Sequence, residues 1–257
     1  MDAWSPDDYA RFASHRTAPF DDLLKLLSTP KDKCTLLDLG CGTGELTLKA
    51  HKELKSRWTL GLDSSAAMLE AKAPKATGLE FEQVDISVAL PANTFDRVIS
   101  NSALNWVMDH ASFLPRILEL LAPNGELAVQ MPSNPGTPFS DCALETAKKF
   151  SKELNGYQYL SPVESPEFYA EKLARDSRVA ESKVGTWYYP QLHQSSDGIL
   201  EFAKGGLLSA YRSKLSAGDF EKFCASYGDA LRERCGKGPV FFPFRRVFFF
   251  AKFKAKV

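Results

Sequence analysis

Cysteine is sparse in this chain: five among 257 residues, at 34, 41, 142, 224 and 235, an odd and scattered set with no C-x-x-C pair. That pattern argues against both a disulfide framework and a zinc site and fits a reducing compartment. No apolar stretch approaches the roughly 20 residues of a membrane span. The acidic opening Met1-Asp2-Ala3-Trp4-Ser5-Pro6 lacks the apolar run of a secretory signal. An excess of charge of one sign is also missing, since Lys plus Arg and Asp plus Glu number 32 each. No net field therefore draws the chain to nucleic acid or to an anionic membrane. Histidine is scarce (15, 51, 110 and 193), which leaves few general bases. There is no internal repeat and no low-complexity segment. These absences predict a cytoplasmic protein, monomeric or weakly dimeric, with no metal and no nucleic-acid or membrane partner. Its length and its 44% apolar content are enough for a real core.

What is present centres on Leu36-Leu37-Asp38-Leu39-Gly40-Cys41-Gly42-Thr43-Gly44-Glu45. An apolar run, a turn with glycine at alternate positions and a helix-prone segment form the corner at which an open α/β sheet receives a nucleotide-like ligand. The spacing decides which one. A dinucleotide turn reads G-x-G-x-x-G and seats a pyrophosphate, whereas here the glycines run G-x-G-x-G and Glu45 stands at the place of the third. With Asp38 just before the turn, the site favours a ligand carrying positive charge. S-adenosylmethionine fits, with an ammonium beside its sulfonium. Asp63 ends the next strand-like run, 19 residues after Gly44, where a carboxylate can take both ribose hydroxyls.

Strand and helix alternate through the first half. Strands are expected near 36–39, 58–63, 79–84, 94–100 and 126–131, with helices at 45–53, at 65–72 behind Ser64-Ser65, and from Asp109 with the stripe Leu114, Ile117, Leu118 and Leu121. Pro19 is expected to open an earlier helix, with Phe20, Leu23, Leu24 and Leu27 on one face. Such alternation implies right-handed crossovers and a parallel sheet. After Pro132 the pattern changes, with helical segments at 139–154, 166–175 and 196–235, the last broken at Gly205-Gly206 and 216–219. Strand-like runs at 179–189 and 244–251 suggest an antiparallel pair that finishes the sheet. The organisation predicted is an N-terminal arm and helix over 1–30, serving as a lid, then a core over 31–135. The strands near 179–189 and 244–254 complete that core, and 136–176 with 190–243 form a helical cap.

Asp38-Leu39-Gly40-Cys41-Gly42-Thr43-Gly44 with Gly61-Leu62-Asp63-Ser64-Ser65 resembles the class I S-adenosylmethionine-dependent methyltransferases. Trp4-Ser5-Pro6 to Arg16, Asn105-Trp106, Val129-Gln130-Met131-Pro132, Thr186-Trp187-Tyr188-Tyr189 and Phe242-Pro243-Phe244-Arg245 make the whole similar to the trans-aconitate methyltransferases. The resemblance implies a three-layer α/β/α Rossmann-like sheet, mostly parallel, of seven strands with the last antiparallel, under a helical cap. It implies S-adenosyl-L-methionine as cofactor and S-adenosyl-L-homocysteine as product. Gly40 and Gly42 would line the methionine part, Asp63 the ribose, and Asp85 and Ile86 the adenine, with Met68 a further cofactor contact. Asn101, Trp106 and Arg16 would lie near the amino-acid end. The substrate implied is a small polycarboxylic acid, esterified on one carboxylate.

A carboxylate acceptor is already ionised at neutral pH and needs no general base, whereas a hydroxyl or amine usually does. His110, close after Trp106, is the candidate base for that second reading, methylation of another small metabolite on oxygen, nitrogen or sulfur. A third reading is a cofactor-binding protein without turnover. Nucleic-acid and protein methylation are disfavoured by the balanced charge and by Asn101-Ser102-Ala103-Leu104, where enzymes of that kind have an Asn-Pro-Pro-Tyr-type tetrapeptide. For a polycarboxylate, arginine is the expected partner. Arg245 and Arg246 fall on opposite faces of a strand, so at most one points into a pocket. Trp187 and Tyr188 either wall the pocket or pack the sheet. Trp4 and Tyr9 either close over the ligand or clasp the core.

Overall fold

The computed structural model describes residues 13–28, 33–72 and 74–255. They divide into two compact units, one containing 14–132, 162–187 and the chain from Arg246 on, the other 133–161 and 188–245.

The larger unit is built on the sheet. Its strands are β1 (Thr35–Leu39), β2 (Trp58–Asp63), β3 (Leu79–Gln83), β4 (Phe95–Asn101), β5 (Leu121–Pro132) and parts of β6 (Val179–His193) and β7 (Val240–Phe253). Their order is β3-β2-β1-β4-β5-β7-β6. β1 pairs in parallel with both β2 and β4, and β5 in parallel with β4, while β7 runs antiparallel to β5. Arg178 lies over Phe253, Lys183 over Phe250 and Trp187 against Phe248, so β6 and β7 also run in opposite senses. Six strands thus point one way and β7 the other. The order reverses between β1 and β4, which is where a sheet of this kind opens a crevice at its carboxyl edge.

The helices follow the expected alternation. They are α1 (Ala13–Leu26), α2 (Glu45–Glu53), α3 (Ala66–Lys72) and α4 (His110–Leu118), with a single 3-10 turn at Leu104–Trp106 before α4. α1 does not open at Pro19 but contains it. A proline inside a helix costs about 3 kcal/mol, and burying Phe20, Leu23, Leu24 and Leu27 at about 1.5–3 kcal/mol each outweighs that. Leu121 belongs to β5 opposite Phe95 rather than to the preceding helix. It is buried in either assignment, so periodicity alone misplaced it. α6 (Pro166–Arg175; α5 is Pro138–Lys149) belongs to the sheet unit and not to the cap. Its Tyr169 stacks on Phe249 at 4.7 Å, and Leu173 is fully buried in the sheet's core.

At the end of the sheet away from the glycine turn, Glu126 is 1% exposed. It accepts from the Ser28 N–H at 2.8 Å and hydroxyl at 2.5 Å and pairs with Lys252 at 3.0 Å and Arg97 at 3.3 Å. Burial works to raise its pKa, but Ser28, Lys252 and Arg97 outweigh it and hold the carboxyl below its usual value. A lowered carboxyl stabilises the fold above the unfolded value, near pH 4.5, and that contribution fades as pH falls through the folded value. Glu126→Gln is expected to cost about 1–3 kcal/mol at pH 7 and less at pH 4. Urea melts at the two pH values check this, and an equal loss at both rejects the charge network.

The smaller unit holds α5, α7 (Ser196–Lys204), α8 (Ser209–Arg212) and α9 (Ala217–Cys235). Gly205 ends α7, and Ser216 caps α9 by accepting from the Asp219 N–H at 3.1 Å. An aromatic core of Phe139, Tyr211, Phe223, Tyr227, Phe242 and Phe244 holds these helices together.

Candidate active site

The glycine turn sits where β1 ends at the switch point. Gly40, Gly42 and Gly44 all have positive φ, at 80°, 58° and 78°. For Gly40 the absence of a side chain is obligatory, since a Cβ there would lie 2.1 Å from the Ala103 Cβ. The turn is tied to β2 by N–H groups of Gly40 and Cys41, which both donate to the Leu62 carbonyl, at 2.8 and 2.9 Å.

Two carboxylates flank the turn. Asp63 ends β2 and accepts from the Gly42 N–H on Oδ2 at 2.8 Å and from the Ser65 N–H on Oδ1 at 2.9 Å. Asp38 is 2% exposed, and its Oδ2 accepts from the Thr47 hydroxyl on α2 at 2.6 Å. Its other oxygen, Oδ1, is buried with no hydrogen-bond partner among the described residues. Burial, opposed by Thr47 and reinforced by Asp63, pushes the Asp38 carboxyl up to about 7. A buried carboxylate with one orphaned oxygen is short of a cation.

A second cluster lies across the carboxyl ends of β4, β5 and β7. Asn101 pairs directly opposite Gln130, and Arg246 pairs opposite Pro132, a diagonal neighbour of Gln130 on the same sheet face. The Gln130 amide therefore reaches all its partners. Its nitrogen donates to Asn101 Oδ1 and, at 2.9 Å, to Ser102 Oγ. Its oxygen accepts from Arg246 Nη1 at 2.7 Å, and the same Nη1 donates to Ser102 Oγ at 2.7 Å. Arg246 is buried. Beyond β4, the Asn105 amide, oriented to satisfy both neighbours, donates to the Ser102 carbonyl at 3.0 Å and accepts from the Trp106 indole at 2.9 Å.

The structure brings Asp38, Gly40, Gly42, Asp63, Asn101, Trp106 and Arg246 to one edge of one sheet unit. Ile86 and Met68 are buried and Asp85 is exposed, its Oδ1 accepting from the Ser87 N–H at 2.9 Å. A depression of about 280 Å³, lined by Ser87, Trp106, Val107 and Phe113 among others, lies beside that turn. Trp187 packs on Phe248 with ring centres 4.4 Å apart, in the sheet unit. Tyr188 is exposed and belongs to the smaller unit, as does Arg245, whose guanidinium donates to the Pro135 carbonyl. Trp4, Tyr9 and the Arg16 side chain lie outside the described residues.

His110 requires correction. It is buried, with Nε2 against the Leu104 carbonyl at 2.9 Å and Nδ1 against the Tyr169 hydroxyl. A carbonyl only accepts, so Nε2 carries the proton and Nδ1 accepts from Tyr169. Tyr169 in turn accepts from the Glu164 N–H at 3.1 Å. Both ring nitrogens are spent on holding α4, the 104–106 turn and α6 together, so no lone pair remains for a substrate proton. His110→Asn is expected to destabilise the fold by about 2–4 kcal/mol while leaving turnover per folded molecule within threefold. Turnover abolished in a protein of wild-type melting temperature contradicts this assignment.

Sequence reasoning passed over Gln130, Ser102 and Thr47. The signal for Gln130 was a polar residue inside the apolar run Leu127–Met131, fully buried in the structure. Among the described residues no group of His, Cys, Asp and Glu could hold a metal, and no helix is long and apolar enough to cross a membrane.

A glycine turn between two acids at the switch point of a seven-stranded sheet defines a class of proteins that bind a cationic nucleoside. Comparison with known proteins agrees. Residues 30–187 match the family model described as a methyltransferase domain. The chain is 38% identical over 258 residues to a trans-aconitate 2-methyltransferase of Deinococcus radiodurans, covering 96% of this chain and 97% of the relative. It is 36% identical to the enzyme of the same name from Streptomyces avermitilis, covering 96% and 95%. Among solved structures, the YcgJ protein of Bacillus subtilis matches with a TM-score of 0.61 at 15% identity, over 94% of this chain and all of that one. A phosphoethanolamine N-methyltransferase of Haemonchus contortus bound to S-adenosylhomocysteine matches with a TM-score of 0.55 at 18% identity, over 93% and 53%. At such identities these two structures speak for the fold. The chain belongs to the S-adenosylmethionine-dependent methyltransferases, an enzyme family whose methyl donor is S-adenosyl-L-methionine.

Proposed function

We propose that this methyltransferase esterifies one carboxylate of a small polycarboxylic acid similar to trans-aconitate, giving a monomethyl ester and S-adenosyl-L-homocysteine. The observation that carries this reading is the buried Arg246, hydrogen-bonded to Gln130 and Ser102 at the carboxyl edge of the sheet. A guanidinium held there suits an anionic acceptor. The nearly full-length likeness to relatives named trans-aconitate 2-methyltransferase supports the same acceptor class.

In this reading Asp38 faces the cofactor's ammonium and Gly40 and Gly42 line its methionine chain. Asp63 takes the ribose hydroxyls, since a carboxylate's lone pairs, good for about four bonds, suit two vicinal donors. Met68, Asp85 and Ile86 bound the adenine, next to the depression at Trp106 and Ser87. Asn101 and Trp106 lie toward the amino-acid end, and Trp187 is a further contact for the acid on the same unit.

The reaction is an in-line displacement at the methyl carbon: a carboxylate oxygen forms the new C–O bond as the C–S bond breaks and its electron pair returns to sulfur. Holding oxygen and methyl in line can contribute roughly 7–11 kcal/mol. A carboxylate with an ordinary pKa near 4 is ionised at pH 7, so the step needs no proton acceptor. The engagement of both His110 nitrogens supports that, and it takes away the base on which an amine or hydroxyl acceptor would depend.

Incubation with methyl-labelled cofactor and a panel of di- and tricarboxylates tests the proposal. Label is expected in a base-labile ester of at least one of them. Absence of label in every acid, with turnover of another metabolite, rejects it.

A further inference from the structure

One hydroxyl at the carboxyl edge of the sheet is wired to be a donor. Ser102 Oγ receives a hydrogen bond from Gln130 Nε2 at 2.9 Å and another from Arg246 Nη1 at 2.7 Å. The direction of both bonds is forced. A guanidinium cannot accept, so Ser102 accepts from Arg246. The oxygen of the Gln130 amide is fixed toward Arg246 by the same reasoning, which turns its nitrogen toward Ser102 and Asn101. A serine hydroxyl has two acceptor lone pairs and one hydrogen. Both lone pairs are engaged, and among the described residues no acceptor takes the hydrogen. Two incoming donors, one of them charged, polarise that O–H and make it a stronger donor.

The backbone is bent to present this group. Ser102 has φ 58°, in the left-handed region that costs a non-glycine residue about 1–2 kcal/mol. Its N–H is held by the Gln130 carbonyl at 2.9 Å. The next residue, Ala103, is the one packed against Gly40. The hydroxyl therefore stands one residue from the cofactor turn, on the strand end that borders it.

We propose that Ser102 donates to a carboxylate of the acceptor, in the field of Arg246, and that the carboxylate it holds is the one that is not methylated. An oxygen that takes a hydrogen bond from a polarised hydroxyl beside a guanidinium has its lone pair committed and its charge neutralised, so it is a poor nucleophile. A carboxylate bound there is a spectator that orients a second one toward the methyl group. Ser102 is in this way a specificity-determining residue, and it selects acids that carry at least two carboxylates. The inference rests on the carboxyl-methylating reading above.

The test compares a dicarboxylate accepted by the wild-type enzyme with its half-amide, in which the spectator charge is gone. Ser102→Gly removes the hydroxyl at a φ that glycine adopts without strain, so the variant is expected to melt no lower than wild type. Ser102→Ala keeps the strain and serves as the second variant. In both, the KM for the dicarboxylate should rise at least tenfold, and the preference for dicarboxylate over half-amide should fall at least tenfold. The dissociation constant for S-adenosylmethionine should stay within threefold. An unchanged preference overturns the inference alone. A weaker grip on S-adenosylmethionine with an unchanged KM for the acid also overturns it, because the hydroxyl then serves the donor's own carboxylate. A wild-type enzyme that esterifies no acid overturns the carboxyl-methylating reading and this inference with it.

Discussion

Asp38→Asn is expected to make the ligand-free protein more stable and its grip on S-adenosylmethionine at least a hundredfold weaker. The two effects have one cause. Asp38 is buried, one oxygen is satisfied by Thr47 and the other has no partner among the described residues, and burial has pushed its carboxyl up to about 7. A carboxyl raised in the folded state favours folding only while it is protonated. Its cost begins above the unfolded value near 3.8, grows until about pH 7 and is constant beyond. Asparagine can still accept from Thr47 but carries no charge, so at pH 8 the variant should gain on the order of 2 kcal/mol, most of which vanishes at pH 4. A bound ammonium reverses the balance by ionising Asp38, and removing one member of such a buried pair costs about 2–5 kcal/mol of binding. Wild-type affinity should therefore weaken as pH falls from 7 to 5, with a proton released on binding, and the variant should show no such slope. Calorimetry in two buffers of different ionisation enthalpy reads both. A variant that binds as tightly as wild type removes Asp38 from the cofactor's charge.

Arg246→Lys is expected to lower kcat/KM for the acid by about 10²–10³ while the dissociation constant for S-adenosylmethionine stays within threefold. Lysine keeps the charge but not the rigid planar guanidinium that holds Nη1 between Gln130 Oε1 and Ser102 Oγ. Losing that geometry both frees the Gln130 amide and misplaces the positive charge. A hundredfold corresponds to about 2.7 kcal/mol, within the range for a hydrogen-bonded charge pair. Stopped-flow cofactor binding beside steady-state turnover separates the two ligands. A variant that merely melts lower, with acid kinetics intact, assigns Arg246 to structure alone.

The glycine turn and its flanking acids were legible because they are local. Asp38 to Glu45 are contiguous, and Asp63 lies one crossover away, so spacing alone places them. The polar cluster across β4, β5 and β7 was not, because its parts are brought together by register. Gln130 faces Asn101 only when β4 and β5 are aligned as they are, and Arg246 reaches Gln130 only because β7 returns antiparallel. A run such as Leu127–Met131 conceals one polar side chain among apolar neighbours, and nothing in it says what that chain meets. His110 misled for a related reason. It stands four residues after Trp106 and looks poised, yet Leu104 and Tyr169 consume it, and Tyr169 lies 59 residues further on. The proline in α1 was misjudged because burial of the apolar stripe outweighs its local cost, and the end of α4 because Leu121 is buried whether it lies in a helix or in β5.

The bond from Arg246 to Ser102 joins residues 144 apart in sequence. On a ribosome the cofactor turn, β1, β2 and β4 can pair while most of the remaining chain is still unmade, because their contacts close short loops. The Arg246 cluster must wait until β7 has left the tunnel. On the site proposed above, an immature chain acquires the means to hold its methyl donor well before it acquires the means to choose an acceptor, and donor binding can then act during synthesis as a ligand that stabilises the half-built sheet.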